Sequence, residues 1–389
     1  MEIMRNKNTR LSDDAEQKLE KLHQELIQHS KTFSGYPCNL DYDYSSLFRF
    51  LSFSINNVGD PFAGSNYKVN THAFEREVIA FFAGLLKGQD CRGYITSGGT
   101  EGNLFGLNLA LKRFPNAVLY FSARTHYSII KIAKLIRVEY REIPVQDHGE
   151  IDYDRLVEQL KHHADRPAII NVNIGTTMTG AIDNLDRIHE ALLQANISDY
   201  HLHADAALSG MVLPFLDNPP PFNFEDGIDS IAISGHKFIG SPLPCGIALT
   251  RTPYIEESIP NIAYVRILDS TITGSRNGFT PLILWHAIQQ QGKTGFSEQV
   301  KRCLDNAQYA VKKFNDAGVS AWKNDHSITV VIPRPSEAMI QHWQLATHGH
   351  MAHIVVMPHF SKPFIDEVVE SLLGDLRGLI NYLTGNICK

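Results

Sequence analysis

The chain has 389 residues, with 36 Lys and Arg against 42 Asp and Glu, which gives a formal net charge of −6. Binding of nucleic acid or of an anionic membrane needs a basic field, so this charge favours small-molecule ligands. Hydrophobic residues make up 43% of the chain and charged residues 20%, which is typical of globular proteins with a large core. These values argue against intrinsic disorder.

The first ten residues are polar and basic and lack the apolar stretch of a secretory signal. No segment approaches the roughly 20 apolar residues of a membrane span, so a soluble cytoplasmic protein is expected. The five cysteines are scattered and include no CxxC pair, which argues against disulfides and against a structural zinc site. They are Cys38, Cys91, Cys245, Cys303 and Cys388.

The first half of the sequence predicts helices followed by an alternation of strands and helices. Apolar residues at helical spacing predict helices over residues 11–33 and 71–86. The strands that follow are expected at 93–96, 117–121, 138–143, 168–174, 201–204, 230–234 and 246–250. The helices between them are expected at 101–114, 127–136, 153–163 and 183–196. This alternation favours an α/β fold with a mostly parallel sheet and helices on both faces.

The last quarter of the chain breaks this alternation. It predicts a helix over 296–317, strands at 319–322, 328–332 and 354–357, and a closing helix over 364–383. We therefore expect a helical N-terminal arm, a large α/β domain and a small α+β C-terminal domain. Their expected limits are residues 1–55, 56–295 and 296–389.

Ligands of open parallel sheets bind at the carboxyl ends of the strands, and a glycine-rich turn stands at one such end. Ser97, Gly98, Gly99 and Thr100 follow a predicted strand and open a helix, whose free N–H groups would suit a phosphate. The turn is neither GxGxxG nor a Walker loop, which disfavours a dinucleotide or a nucleoside triphosphate. An ordinary strand-to-helix turn is the alternative.

Three further strand ends carry polar side chains. Asp205 stands among small apolar residues with no Lys or Arg nearby in sequence, so either it caps a turn or it meets a cationic ligand group. Lys237 follows Ser234 and His236 at another strand end, where partial desolvation would favour a Schiff-base lysine over a surface charge. His126 follows a third strand, as a cap, a packing residue or a ligand contact.

Together these four features describe a site for pyridoxal phosphate (PLP). The phosphate would occupy the glycine-rich turn, and the aldehyde would react with Lys237. Asp205 would keep the pyridine nitrogen protonated, and His126 would stack on the ring.

From about residue 35 to 357 the chain resembles the PLP-dependent group II amino acid decarboxylases. The motifs that carry the resemblance are INNVGD (55–60), TSGGTEGN (96–103), THYS (125–128), NIGTTMTGAID (173–183), HADAALSGM (203–211), ISGHKFIGSPLPCG (233–246) and TITGSRNG (271–278). In length and in these motifs the chain resembles most the histidine decarboxylases of bacteria, and serine decarboxylases of plants resemble it too.

The resemblance implies a type I PLP-dependent fold, similar to that of aspartate aminotransferase. It also implies a homodimer, with a tetramer as the alternative, in which the N-terminal helix would clamp the partner. Lys237, Asp205 and His126 take the roles given above, and His126 would also contact the substrate. The implied cofactor contacts further include Ser97, Gly98, Gly99, Thr100, Thr176, Ala207, Ser234 and His236.

The implied reaction is decarboxylation of an amino acid, L-histidine to histamine and carbon dioxide, with L-serine to ethanolamine as the alternative. A general acid must return a proton to Cα. The segment 252–273 resembles a mobile loop that carries a tyrosine in many relatives, so Tyr264 is the candidate donor, with Tyr254 and Lys237 as rivals.

Other classes of protein fit the sequence less well. An aminotransferase would need an arginine for the substrate carboxylate, but Arg334 stands in a proline-flanked turn. A zinc hydrolase could use His201 with His203, or the histidines between residues 348 and 353, yet zinc requires three or four convergent ligands. No metal is expected. A non-catalytic binding protein would be expected to have lost Lys237 or Asp205.

Overall fold

The computed structural model describes residues 11–64, 66–256, 261–262 and 267–385. Seven strands form its main sheet, in the spatial order β1-β7-β6-β5-β4-β2-β3. They are β1 (Cys91–Thr96), β2 (Val118–Ser122), β3 (Glu139–Ile143), β4 (Ala168–Asn173), β5 (Tyr200–Asp205), β6 (Ser230–Ser234) and β7 (Gly246–Arg251). β7 pairs antiparallel with β1 and β6, and the other pairs of the sheet are parallel. The expected mostly parallel sheet is confirmed.

Six helices before and between these strands lie close to their expected positions. They are α1 (Asp13–Ser30), α2 (His72–Leu85), α3 (Gly99–Arg113), α4 (Ser128–Leu135), α5 (Tyr153–Lys161) and α6 (Leu185–Gln194). A further helix, α7 (Thr252–Glu256), follows β7 and was not expected. Short 3-10 helices span Ser45–Ser52, Ser209–Met211 and Leu213–Phe215. Asp152 and Asn184 begin α5 and α6 because their side chains accept backbone N–H groups of the first turn.

The main sheet is covered on both faces, as the alternation of its side chains requires. On one face Leu119, Phe121 and Ile169 pack with α3 and α4. On the other face Tyr120 and Ile170 belong to the largest buried cluster, together with residues of α2, α5 and α6.

A second sheet is built from the C-terminal part of the chain. Its antiparallel strands are β10 (Thr329–Pro333), β12 (Met351–Val355) and β11 (Ala346–His348), in that order. A two-residue pair, β8 (Asn261–Ile262) with β9 (Ile267–Leu268), precedes it in sequence. The remaining helices are α8 (Phe279–Asp316), α9 (Glu337–Trp343) and α10 (Lys362–Gly385).

The sequence misplaced some C-terminal elements. The strand expected at 319–322 is wrong, since this stretch makes only a single bridge, from Trp322 to Val331. The reason is local, because the Asn315 side chain bonds both the N–H and the C=O of Ala321. Helix α9 and strand β11 were missed. Helix α8 crosses the expected boundary at 295 and is non-helical at Gly292, so the domain limits stay a prediction.

The segment after α1 connects the small sheet to the main sheet. Ser34 donates to the Trp343 carbonyl, and the Val355 N–H donates to the Ser34 carbonyl. A few residues on, the Asn39 N–H donates to the Lys237 carbonyl at 3.1 Å. Within the described residues, no helix is both long and apolar enough to cross a membrane.

Candidate cofactor and active site

A cavity of about 540 Å³ is lined by the segments that follow β2, β4, β5 and β6 and by residues of the small sheet. Most of the residues predicted for the cofactor or for catalysis line it. They are Gly99, Thr100, His126, Thr176, Asp205, Ala207, Ser234, His236 and Lys237. Ser97 and Gly98 do not line this cavity, and Tyr264 lies outside the described residues. The structure thus brings most predicted residues together, and their roles stay predictions.

Asp205 ends β5 as a buried carboxylate, with 7% of the residue exposed. One carboxylate oxygen accepts the side-chain amide of Asn103 at 2.8 Å, and the other accepts the Ala207 N–H at 3.3 Å. No basic nitrogen lies within 4.0 Å of it in the part of the chain that the structure describes. A buried carboxylate without a cation suits a protonated ring nitrogen.

Lys237 lies on the turn after β6, and its side chain reaches the same cavity. Burial lowers the pKa of the Lys237 amine, while the Asp205 carboxylate and the Cys38 thiol oppose this shift. A lowered pKa enlarges the neutral, nucleophilic fraction of the amine at neutral pH. The lysine therefore has the environment that reaction with an aldehyde requires.

His126 follows β2, and its ring orientation is fixed by its own turn. The Ser128 N–H donates to Nδ1 at 3.3 Å, and the Ser128 hydroxyl lies 2.8 Å from the same nitrogen. Nδ1 is thus an acceptor, so the neutral ring carries its proton on Nε2. Burial lowers the pKa of His126, which favours this neutral form, although Asp205 opposes the shift.

The glycine-rich turn begins α3 and lies tightly against β6. A Cβ on Gly99 would stand 2.8 Å from the Ser234 hydroxyl, so only glycine leaves this space open. The helix also begins here with free N–H groups and a positive dipole end. Gly99, Thr100 and Ser234 therefore leave room and donors for an anion.

Ser97 bonds within its own turn, and its predicted contact with the cofactor stays a prediction. Its N–H and hydroxyl both donate to the Glu101 carboxylate, at 2.8 and 2.6 Å. His236 follows β6 and lines the cavity, and its Nδ1 is 2.9 Å from the Cys245 carbonyl. Burial lowers the pKa of His236.

Thr176 is held by the turn that follows β4. Its hydroxyl accepts the Ala181 N–H at 3.0 Å and lies 2.9 Å from the Thr179 hydroxyl. Just before this turn, the Asn173 side chain donates to Asp183 at 2.8 Å and to Ser122 at 3.0 Å. The wall of the cavity beside β4 is therefore fixed by buried hydrogen bonds.

Several cavity residues were missed from the sequence. Asn103 stands in a quoted motif and lies one helical turn after Gly99, so helical spacing could have placed it on the same face. Residues 35–37 and the small-sheet residues Ala346, His348 and His353 also line the cavity. His353 is buried, and its ring nitrogens lie 2.9 Å from the Gly35 carbonyl and 3.1 Å from the Met178 carbonyl.

The residues that could suggest a zinc hydrolase or an aminotransferase have structural partners instead. His201 and His203 both contact the Ser230 hydroxyl at 2.8 Å. Among the described residues, no three or more His, Cys, Asp or Glu side chains are grouped so that they could share a metal ion. Arg334 lies 3.5 Å from Glu337 on the exposed side of a turn.

The space beside Gly99, the buried Asp205 and the desolvated Lys237 fit PLP, and the type I fold places all three at the carboxyl ends of parallel strands. The site thus defines a PLP-dependent enzyme.

Residues 109–332 match the family described as pyridoxal-dependent decarboxylase conserved domain. The chain belongs to this family, and the protein is a PLP-dependent carboxy-lyase. The expected resemblance, fold class and cofactor are confirmed.

Curated relatives cover most of the chain. A histidine decarboxylase of Pseudomonas fluorescens is 47% identical over 378 residues, which are 94% of this chain and 93% of that protein. One of Vibrio campbellii is 48% identical over 347 residues, covering 88% and 90%.

Solved structures share the fold. The L-methionine decarboxylase of Streptomyces sp. 590 superposes with a TM-score of 0.85 at 26% identity, over 94% of this chain and 96% of that one. The glutamate decarboxylase of Lactobacillus brevis gives 0.79 at 17% identity, over 97% and 95% of the chains, and is similar in fold alone.

Proposed function

We propose that this protein decarboxylates L-histidine to histamine and carbon dioxide. The observation that carries the chemistry is the convergence of Lys237, Asp205 and His126 on one cavity. The choice of substrate is supported by curated histidine decarboxylases of three genera, which are 45–48% identical to the chain. The methionine decarboxylase is 26% identical over a similar length.

The three residues named above have separate roles towards the cofactor. Bound PLP supplies the electron sink that accepts the bonding electrons when carbon dioxide leaves. Lys237 binds the cofactor aldehyde with its desolvated amine. Asp205 holds a proton on the pyridine nitrogen. His126 covers the ring, and since Nδ1 is engaged by Ser128, Nε2 is the nitrogen available to the substrate.

The phosphate is assigned to the start of α3. Gly99 provides space, and the first N–H groups of the helix, with Thr100, Ser234 and His236, provide donors. Ser97 and Gly98 belong to the same turn, in which Ser97 donates to the Glu101 carboxylate, and Thr176 and Ala207 line the cavity beside the ring.

The proton that returns to Cα is assigned to Tyr264, outside the described residues. Its rival Tyr254 donates to Asp229 at 2.9 Å and has Arg113 over its ring at 4.3 Å. These contacts engage Tyr254 elsewhere, and it does not line the cavity. Lys237, whose side chain lines the cavity, is the remaining rival.

A homodimer is proposed as the working assembly, with a tetramer as its possible extension, in the cytoplasm. Helix α1 has no buried residue, and its leucines Leu19, Leu22 and Leu26 are 50–57% exposed. Such an apolar stripe on an isolated helix is expected to be covered by a partner. Sedimentation velocity of the wild type and of a Leu22→Asp, Leu26→Asp variant tests this, and an unchanged coefficient would reject the role of α1.

The deciding experiment measures amine and carbon dioxide release by the purified protein with PLP, across a panel of amino acids that includes histidine and serine. Histamine is the expected main product. Ethanolamine in its place would assign the enzyme to serine, and no amine from any substrate would reject decarboxylation.

Two variants test the residue roles. Lys237→Ala is expected to abolish steady turnover while the pocket still takes up PLP. Asp205→Asn removes the buried negative charge opposite the ring nitrogen. Breaking a buried charge pair in this way costs on the order of 3–5 kcal/mol. This variant is expected to weaken both cofactor binding and turnover, so normal activity would reject the role of Asp205.

A further inference from the structure

Behind Asp205 lies a row of buried polar side chains that the proposed reaction does not use directly. His201 and His203 precede Asp205 on the same face of β5, and Ser230 begins the neighbouring strand β6. All three are at most 1% exposed. None of them lines the cavity, so none can contact the cofactor or the substrate.

These side chains form a continuous series of hydrogen bonds that ends at Asp205. His201 Nε2 and His203 Nδ1 each lie 2.8 Å from the Ser230 hydroxyl. His203 Nε2 lies 3.1 Å from the Asn103 side-chain oxygen, and the Asn103 amide nitrogen lies 2.8 Å from the Asp205 carboxylate.

The carboxylate fixes the direction of every bond in this series. An ionised Asp205 can only accept, so Asn103 donates with its amide and accepts with its oxygen. His203 must therefore carry a proton on Nε2. Burial lowers the pKa of His203 to about 3, so the ring is neutral and its Nδ1 accepts from Ser230.

The same reasoning continues to the far end. Because the Ser230 hydroxyl donates to His203, it accepts from Nε2 of His201. Burial also lowers the pKa of His201 to about 3. A neutral His201 with its proton on Nε2 has only a lone pair on Nδ1, and that nitrogen has no hydrogen-bond partner among the described residues. All donors thus point towards Asp205.

Helix α3 leaves room for this arrangement. A Cβ on Gly106 would stand 2.2 Å from His203 Nδ1 and 2.8 Å from the Ser230 hydroxyl. Glycine at this position therefore lets α3 approach β5 and β6 closely enough for Asn103, on the same helix, to bridge His203 and Asp205.

We propose that His203 is a positioning residue which, with Ser230 and His201, orients Asn103 as a permanent donor to Asp205. The inference rests on the role proposed above for Asp205. A carboxylate that receives this bond is stabilised in its ionised form and is less able to take the proton from the pyridine nitrogen. Asp205 is thereby held as the anion that keeps the ring an electron sink.

The test compares the holoenzymes of four variants with the wild type. His203→Leu removes both ring nitrogens at similar volume. His203→Gln restores a donor near Nε2, Ser230→Ala removes one hydroxyl, and Asp205→Asn is the reference. Each holoenzyme is dialysed to measure the rate of PLP loss, and its kcat, its KM and the pH dependence of its cofactor absorbance are recorded.

His203→Leu is expected to lose PLP on the order of tenfold faster and to lower kcat similarly, as expected when a bond to a charged group is lost. KM should change little, since His203 lies outside the cavity. His203→Gln should recover much of the loss, and Ser230→Ala should fall between wild type and His203→Leu. The pH at which the cofactor absorbance changes should shift most in His203→Leu and less in Ser230→Ala, and His203→Gln should recover much of the shift.

The outcomes separate this inference from the proposed function. Wild-type PLP retention, kcat and absorbance in His203→Leu, with clear defects in Asp205→Asn, would overturn the role of His203 alone. Wild-type behaviour of Asp205→Asn would overturn the role of Asp205 itself. If His203→Leu does not fold, Ser230→Ala decides the test. PLP retention and cofactor absorbance equal to those of the wild type in Ser230→Ala would then reject the inference.

Discussion

Arg276 and Glu75 form an ion pair whose side chains are 3% and 0% exposed. The guanidinium also donates to the carbonyls of Gly59 at 2.6 Å and Ile95 at 3.2 Å. Glu75 in turn accepts the Ile95 N–H at 2.8 Å and the Asn57 amide at 2.7 Å. Two motifs of the sequence, INNVGD and TITGSRNG, thus meet at one buried pair beside β1.

Replacing one member of this pair is expected to destabilise the fold strongly. Arg276→Met leaves the Glu75 carboxylate buried without a cation, which costs about 3–5 kcal/mol in the free energy of unfolding. The double variant Glu75→Gln, Arg276→Met removes both charges and should recover part of this loss. Urea unfolding of the three proteins measures the difference.

The exposed pair Lys301 and Asp305 is the matched control. Its side chains are 77% and 62% exposed, so Asp305→Asn should change the unfolding free energy by less than about 1 kcal/mol. An equally small change in Arg276→Met would show that the buried pair does not hold these segments together.

The main sheet and much of the site could be predicted because their signals are local. Most strands are short apolar runs and the helices between them have their own periodicity, with caps at α5 and α6, and parallel pairing then places Asn173 beside Asp205 at one edge. Asp205 ends a strand, and Lys237 and His126 lie within one turn after a strand, so the strand pattern alone located them at that edge.

The parts that were missed depend on contacts between distant segments. His353 reaches the Met178 carbonyl across 175 residues and the Gly35 carbonyl across 318 residues, and no local pattern announces either bond. The motif around Ser97 predicted a cofactor contact, but it could not show that the Ser97 N–H and hydroxyl both donate to the Glu101 carboxylate. Local spacing shows which groups are available but does not decide between competing partners.

Gly99→Ala is expected to weaken PLP binding. The new methyl group would lie 2.8 Å from the Ser234 hydroxyl and would occupy the space assigned to the phosphate. We expect the Kd for PLP to rise by about tenfold or more, which corresponds to about 1.4 kcal/mol. Titration of the purified protein with PLP measures this.

Gly374→Ala is the control for a glycine in a helix. Gly374 lies within α10 with nothing within 4 Å of its Cβ position, so alanine there should stabilise the helix by about 0.5–1 kcal/mol and leave PLP binding unchanged. If Gly99→Ala binds PLP with the affinity of the wild type, the phosphate does not bind at this turn.

Tyr264→Phe is expected to lower kcat much more than it changes the affinity for PLP. The variant removes only the hydroxyl assigned to proton return. Since a general acid typically raises the rate by about 100-fold or more, kcat should fall by about that factor. Stopped-flow measurement of product formation, beside a PLP titration, separates the two effects.

Tyr254→Phe serves as the comparison for this variant. It removes the bond to Asp229, so it should lower stability and leave kcat close to the wild type. The reverse pattern, an unchanged kcat in Tyr264→Phe and a large loss in Tyr254→Phe, would transfer the proton donor to Tyr254.

The buried histidines of β5 should make the protein less stable in acid. Burial lowers the pKa of both His201 and His203 to about 3 in the folded protein, against 6.5 for the ordinary side chain. Between these values the unfolded chain binds more protons, so the free energy of unfolding falls as the pH falls below about 6.5. Each histidine contributes a slope of up to about 1.4 kcal/mol per pH unit.

Asp183 has the opposite effect on the pH dependence of the free energy of unfolding. Burial raises its pKa to about 6, so between about 6 and 3.8 the folded protein binds the extra proton, and this group alone makes acid stabilising. His201→Gln, which leaves Asp183 in place, should therefore reduce the net acid destabilisation by the share of one histidine. Urea unfolding in steps from neutral pH to about pH 5 measures the slope.

His162→Gln at the end of α5, where the side chain is exposed, controls for the loss of a histidine as such. This side chain lacks the burial that acts on His201, so a change of slope confined to His201→Gln would report burial. A slope that is equally unchanged in His201→Gln would mean that His201 takes up its proton in the folded protein. The neutral form inferred for His201, with a lone pair on Nδ1, would then be rejected, although Nε2 would still donate to Ser230.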